Sequence, residues 1–72
     1  MTRKELIKTL GELKVEAYCN RNMDESAGIH FAIGYMMAAF TESLDDYEKL
    51  SKEVYGEARN IARGRREESE AE

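Results

Sequence analysis

Residues 40–46, FTESLDD, decide the fold of this chain. Ser43 followed three residues later by Asp46 is a helix-start signal, with Thr41 close by, so one helix could end here and another begin. Against a break, no Gly, Pro or Asn stands in the stretch to stop the preceding helix. The large apolar residues on both sides also keep one phase: Ile29, Ile33, Met36, Phe40, Leu44, Tyr47, Leu50, Val54, Ala58 and Ile61 recur at steps of three and four. That is the stripe of one amphipathic helix. The continuity favours a long second helix over about 24–63, and the alternative is a monomeric three-helix bundle with a break near 41–43.

Upstream, a first helix is expected over about 2–18. Thr2 and Glu5 make a capping box, and Leu6, Leu10, Leu13 and Ala17 follow at four, three and four, widened on one side by Ile7 and Tyr18. Gly11 costs ~1 kcal/mol inside a helix and makes sense there if another helix comes close. CNRNMDES, residues 19–26, carries the turn, with Asp24 and Ser26 as competing N-caps. Downstream, Gly64 suits a C-terminal stop after Arg63, which makes 1–63 one helical domain and leaves 64–72 as a charged tail expected to be disordered.

Composition agrees with an all-α fold: the 72 residues include no Pro, five Gly and 36% charged residues. A chain this short rarely gains more than ~3–5 kcal/mol from its own core without a staple or a partner. One cysteine and one histidine exclude an internal disulfide and a Cys/His metal site, so no metal or cofactor is expected and oligomerisation is the favoured remedy. The basic N-terminal residues have no apolar segment behind them, which speaks against a signal peptide. The apolar run GIHFAIGYMMAAF, 28–40, is shorter than the ~20 residues that cross a bilayer. With a lone thiol these features point to a soluble cytoplasmic protein with no membrane partner.

A first helix of about 25 Å covers only half of a second helix of about 60 Å. The stripe Leu44, Tyr47, Leu50, Val54, Ala58 and Ile61 would then stand bare, and a second copy packed antiparallel would cover it, giving a homodimeric four-helix bundle built from helical hairpins. Opposite the main stripe, Ala27, Gly34 and Ala38 form a small-residue row flanked by Phe31 and Tyr35, a face where another helix can approach closely. All eleven residues are therefore assigned to an oligomer interface.

Candidates for chemistry are few. His30 has no carboxylate or second nitrogen at helical spacing and reads as a packed residue. Cys19, near the end of the first helix, reads as a small half-buried residue. Glu42, Asp45, Asp46, Glu48 and Glu53, interspersed with Lys49 and Lys52, read as a solvated face in a chain of net charge −4. Arg59, Arg63, Arg65 and Arg66, with Tyr55 nearby, could hold phosphates or a partner's carboxylates. The leading expectation is a small non-enzymatic interaction protein, a regulator, inhibitor or assembly adaptor, which acts as a homo-oligomer and offers a charged helical surface to an unidentified protein. The alternatives are a nucleic-acid or nucleotide binder using the Arg-rich end with Tyr55, and a small-molecule sponge with inter-subunit pockets near Phe31, Tyr35 and Tyr18.

Overall fold

The computed structural model of the protein describes the backbone of residues 1–71 and the side chains of residues 1–67. Three helices follow one another: α1 (Arg3–Cys19), α2 (Met23–Ala39) and α3 (Leu44–Ala71). The expectation of one continuous helix through residues 41–43 is overturned, and the three-helix alternative describes the architecture.

Local hydrogen bonding shows why the chain turns at FTESLDD. Phe40 leaves helical geometry (φ −101°, ψ 7°). The Thr41 hydroxyl then donates to the Met37 carbonyl at 2.8 Å, which occupies an acceptor that the ended helix leaves open. Two residues on, the Ser43 hydroxyl accepts from the Asp46 N–H at 3.1 Å and so caps α3. Asp45 and Asp46 sit in the first turn, where the helix dipole favours negative charge. Side chains thus replace main-chain bonds on both sides of the corner, without a Gly or Pro.

The other ends follow the same logic. Thr2 Oγ1 accepts from the Glu5 N–H at 3.1 Å and its hydroxyl donates to Glu5 Oε1 at 3.2 Å. At α2 the cap is Asn22, not Asp24 or Ser26: Asn22 Oδ1 accepts from the N–H groups of Asp24 (3.0 Å) and Glu25 (3.2 Å). Ser26 has a different task, donating from its hydroxyl to the Ala17 carbonyl at 2.7 Å and tying the start of α2 to the end of α1.

α1 is the central helix, antiparallel to α2 and parallel to α3. Ala17 meets Ser26 on α2, while Arg3 pairs with Glu53 and Gly11 lies against Glu57 and Ala58 on α3. Leu6, Leu10, Ile33, Met37, Leu50 and Val54 form the core, edged by Ile7, Leu13, Ile29, Met36 and Tyr47. Because α3 folds back, Leu50, Val54 and Ala58 are buried within the chain itself. Their assignment to an oligomer interface is therefore corrected: burial against α1 stabilises the fold by roughly 1.5–3 kcal/mol for each of Leu50 and Val54, and leaves them nothing to offer a second copy. Tyr47 and Ile61 are half-buried beside them, and Leu44 stays exposed at the corner.

Gly11 is buried because α1 and α3 nearly touch there. A methyl group at this position would stand 2.8 Å from Glu57 Cγ and 3.3 Å from the Ala58 nitrogen. The close neighbour that the sequence required of Gly11 is α3. At the other end of that helix Gly64 is no stop: its φ is not positive, and α3 continues through it to Ala71. The expected disordered tail is thus helical over 64–71, with residue 72 outside the described residues. No helix among the described residues is long and apolar enough to cross a membrane.

Candidate interaction surfaces

α2 turns Ile33 and Met37 inward, with Ile29, Met36, His30 and Gly34 half-buried beside them. Its other side is apolar too. Phe31 is 77% exposed and Tyr35 70%, and Ala27 and Ala38 are exposed on either side of them along the helix. At ~100° per residue these four share an arc of roughly 80° on the helix. From Ser26 through Thr41 the chain carries no Asp, Glu, Lys or Arg. The face therefore lacks the charged rim with which exposed helices usually meet water. Gly34 does not belong to it: the nearest side chain to a methyl placed there is the Tyr47 hydroxyl at 3.6 Å, so this glycine fits α2 to the start of α3. The small-residue row of the sequence reduces to Ala27 and Ala38.

A second surface arises where α2 and α3 part. They share few contacts, whereas α1 packs against both. The resulting cleft is filled from α1 by Lys14 and Tyr18. Lys14 Nζ lies 5.6 Å from the centroid of the Tyr18 ring and 5.9 Å from that of Tyr55. Arg59 stands 5.0 Å from the Tyr55 ring, and Tyr18 meets the His30 ring edge-on at 5.1 Å. Arg59, Tyr55, Lys14 and Tyr18 thus alternate cation and ring at cation–π range, and the His30 ring on α2 extends the row edge-on. Between Tyr18 and Tyr55 lies a shallow groove of about 180 Å³ floored by Val15, Ala58 and Ala62.

The arginines separate into two groups. Arg59, Arg63 and Arg66 line one surface around Ala62, continuous with Tyr55. Arg65 lies on the other side of α3, with Glu12 and Glu16 of α1. Lys14 escaped the sequence reading, and Tyr18 and His30, read there as a stripe and pocket residue and as a packed residue, could not be seen as neighbours, because nothing in the spacing says that α2 and α3 diverge over α1. Cys19, expected to be half-buried, is exposed, although Ala17 in the same turn of α1 is buried. Among the described residues no group of three or more His, Cys, Asp or Glu side chains is placed to hold a metal ion. No protein-family model matches the chain, and no similar curated protein or solved structure was found.

Proposed function

We propose that this is a small non-enzymatic interaction protein that acts as a homodimer, joined through the outer face of α2, and presents the charged surfaces of α1 and α3 to a macromolecular partner as a regulator, inhibitor or adaptor. The observation that carries the reading is the uncharged, exposed face around Phe31 and Tyr35. A second copy of the same face is a suitable cover, because it is equally uncharged and a two-fold axis through its middle sets aromatic rings against aromatic rings and alanines against alanines. The area agrees. The chain exposes 5623 Å², against about 4,600 Å² expected of a folded monomer of this mass. The surplus of about 1,000 Å² is of the order of the ~800 Å² that one partner brings to a standard interface.

Burying Phe31 and Tyr35 from both copies contributes roughly 6–12 kcal/mol before the cost of association, which itself is about 4–15 kcal/mol. The most favourable balance, about 8 kcal/mol, is that of a weak dimer dissociating in the micromolar range. The lone exposed thiol of Cys19 suits a reducing, cytoplasmic setting.

Light scattering coupled to size exclusion, run from micromolar to submillimolar protein, tests the pairing. The wild-type mass should rise towards twice the chain mass, and the double variant Phe31→Glu/Tyr35→Glu should remain a monomer with an unchanged helical circular dichroism spectrum. A wild-type protein that stays monomeric throughout, or a double variant that dimerises equally well, sinks the proposal.

A further inference from the structure

We propose that the groove between the C-terminal half of α1 and the middle of α3 is a binding surface for single-stranded nucleic acid, with bases stacked on Tyr55 and Tyr18 and phosphates held by Arg59, Arg63 and Arg66. The inference is independent of the α2 pairing, since one chain carries the whole surface.

Charge segregation is the first ground. The chain is acidic overall, at −4, yet Lys52, Tyr55, Arg59, Arg63 and Arg66 follow one another on α3 at steps of three, four, four and three. That spacing puts them on one helical side. The carboxylates of the same segment are turned elsewhere: Glu53 pairs with Arg3 at 2.8 Å, and Glu57 packs on Gly11. Arg65, on the far side, has Glu12 and Glu16 for company. Among the described residues Arg3–Glu53 is the one ion pair. Between residues 52 and 66 this side of α3 therefore carries cations and no carboxylate.

Aromatic placement is the second ground. Tyr18 and Tyr55 are 63% and 44% exposed, on opposite walls of a groove whose floor is apolar. Such a site takes one flat ring system, and every base has a face to offer it, which is how single strands are held without sequence preference. Paired bases could not reach the rings, so a duplex is disfavoured. Lys14 stands 5.6 Å from the Tyr18 ring and Arg59 5.0 Å from the Tyr55 ring, so each ring lies beside a positive charge. From Arg59 to Arg66 the helix rises about 10 Å, room for some three successive phosphates.

Fluorescence polarisation with labelled oligothymidylate and oligouridylate provides the test, with poly-glutamate as competitor and a duplex of equal length for comparison. Neutralising about three phosphates predicts a loss of affinity of roughly 20-fold between 50 and 200 mM salt. Tyr55→Ala should weaken binding by about 10-fold or more, whereas Tyr55→Phe, which keeps the ring, should restore it. Arg63→Ala/Arg66→Ala should flatten the salt dependence. The Phe31→Glu/Tyr35→Glu protein should bind as the wild type does, which keeps failure of the dimer distinct from failure of this site. Absence of salt-sensitive binding at low salt overturns the proposal. So does indifference to Tyr55→Ala, equal affinity for the duplex, or displacement by poly-glutamate as effective as by the oligonucleotide, the last indicating a surface for an acidic protein.

Discussion

Replacing Gly11 by Ala sets two known effects against each other at one atom. Inside a helix the change alone stabilises by about 1 kcal/mol, because Gly has more backbone freedom to lose on folding. The added methyl would however stand 2.8 Å from Glu57 Cγ, 3.1 Å from Glu57 Cβ and 3.3 Å from the Ala58 nitrogen. Rotation of Glu57 relieves only the first contact. The other two atoms are fixed by the α3 backbone, so the helices must part by several tenths of an ångström, and overpacking of this kind costs roughly 1–3 kcal/mol. The net expectation is a loss of up to about 2 kcal/mol. Gly56, in the adjacent helix, provides the control, since nothing lies within 4 Å of a methyl built on it. Gly56→Ala should therefore deliver the full gain of about 1 kcal/mol, or some 4–8 °C in Tm for a domain of this size. Urea titration followed by circular dichroism at one protein concentration measures both, as the chain has no tryptophan to report unfolding. If Gly11→Ala stabilises as much as Gly56→Ala, then α1 and α3 do not approach as described.

Ser43→Ala removes the cap of α3 and should lower stability by about 1 kcal/mol; in a continuous helix the same change would be neutral or favourable, so the sign in a urea titration distinguishes the two. Leu50→Ala, at a position with no exposure, should cost ~2–5 kcal/mol, enough to unfold much of the protein, while Leu44→Ala should cost under about 0.5 kcal/mol. Equal effects of the two, read by thermal melts, would contradict the fold-back of α3, because Leu44 is 72% exposed only if the chain turns before it.

Much of the architecture was legible in the residues. α1 was bounded by the Thr2–Glu5 box and its leucine stripe, and Gly11 pointed to a close neighbour. The corner was legible as a signal and was outweighed by phase, for a specific reason. Phe40 and Leu44, the two stripe members at the junction, are 57% and 72% exposed, so they do not belong to the core, and the phase they carry across the corner is accidental. A corner this short shifts the register too little to break a pattern of threes and fours. Met37, one of the two fully inward residues of α2, was missed because Met36 fitted that pattern equally well. The α2 outer face was readable, since apolar residues all round a helix are conspicuous. The groove between Tyr18 and Tyr55 was not, because the parallel packing of α3 on α1 that brings them together leaves no periodic trace.

The apolar outer face also bears on stability. α2 supplies only Ile33 and Met37 to the buried core, and a domain of this size rarely holds more than ~3–5 kcal/mol by itself. A helix apolar on all sides is a buried helix, so half of what α2 can contribute is unrealised in a single chain. If pairing realises it, folding and association are linked, and each tenfold increase in protein concentration above the dissociation constant adds about 1.4 kcal/mol to the dimer, or half of that per chain. The urea midpoint of the wild type should then climb steadily with concentration, and that of Phe31→Glu/Tyr35→Glu should stay constant. High salt should leave the climb intact, because the face between Ser26 and Thr41 carries no charged residue to be screened. A wild-type midpoint that does not move with concentration would show that the exposed face of α2 contributes nothing to the stability of the fold.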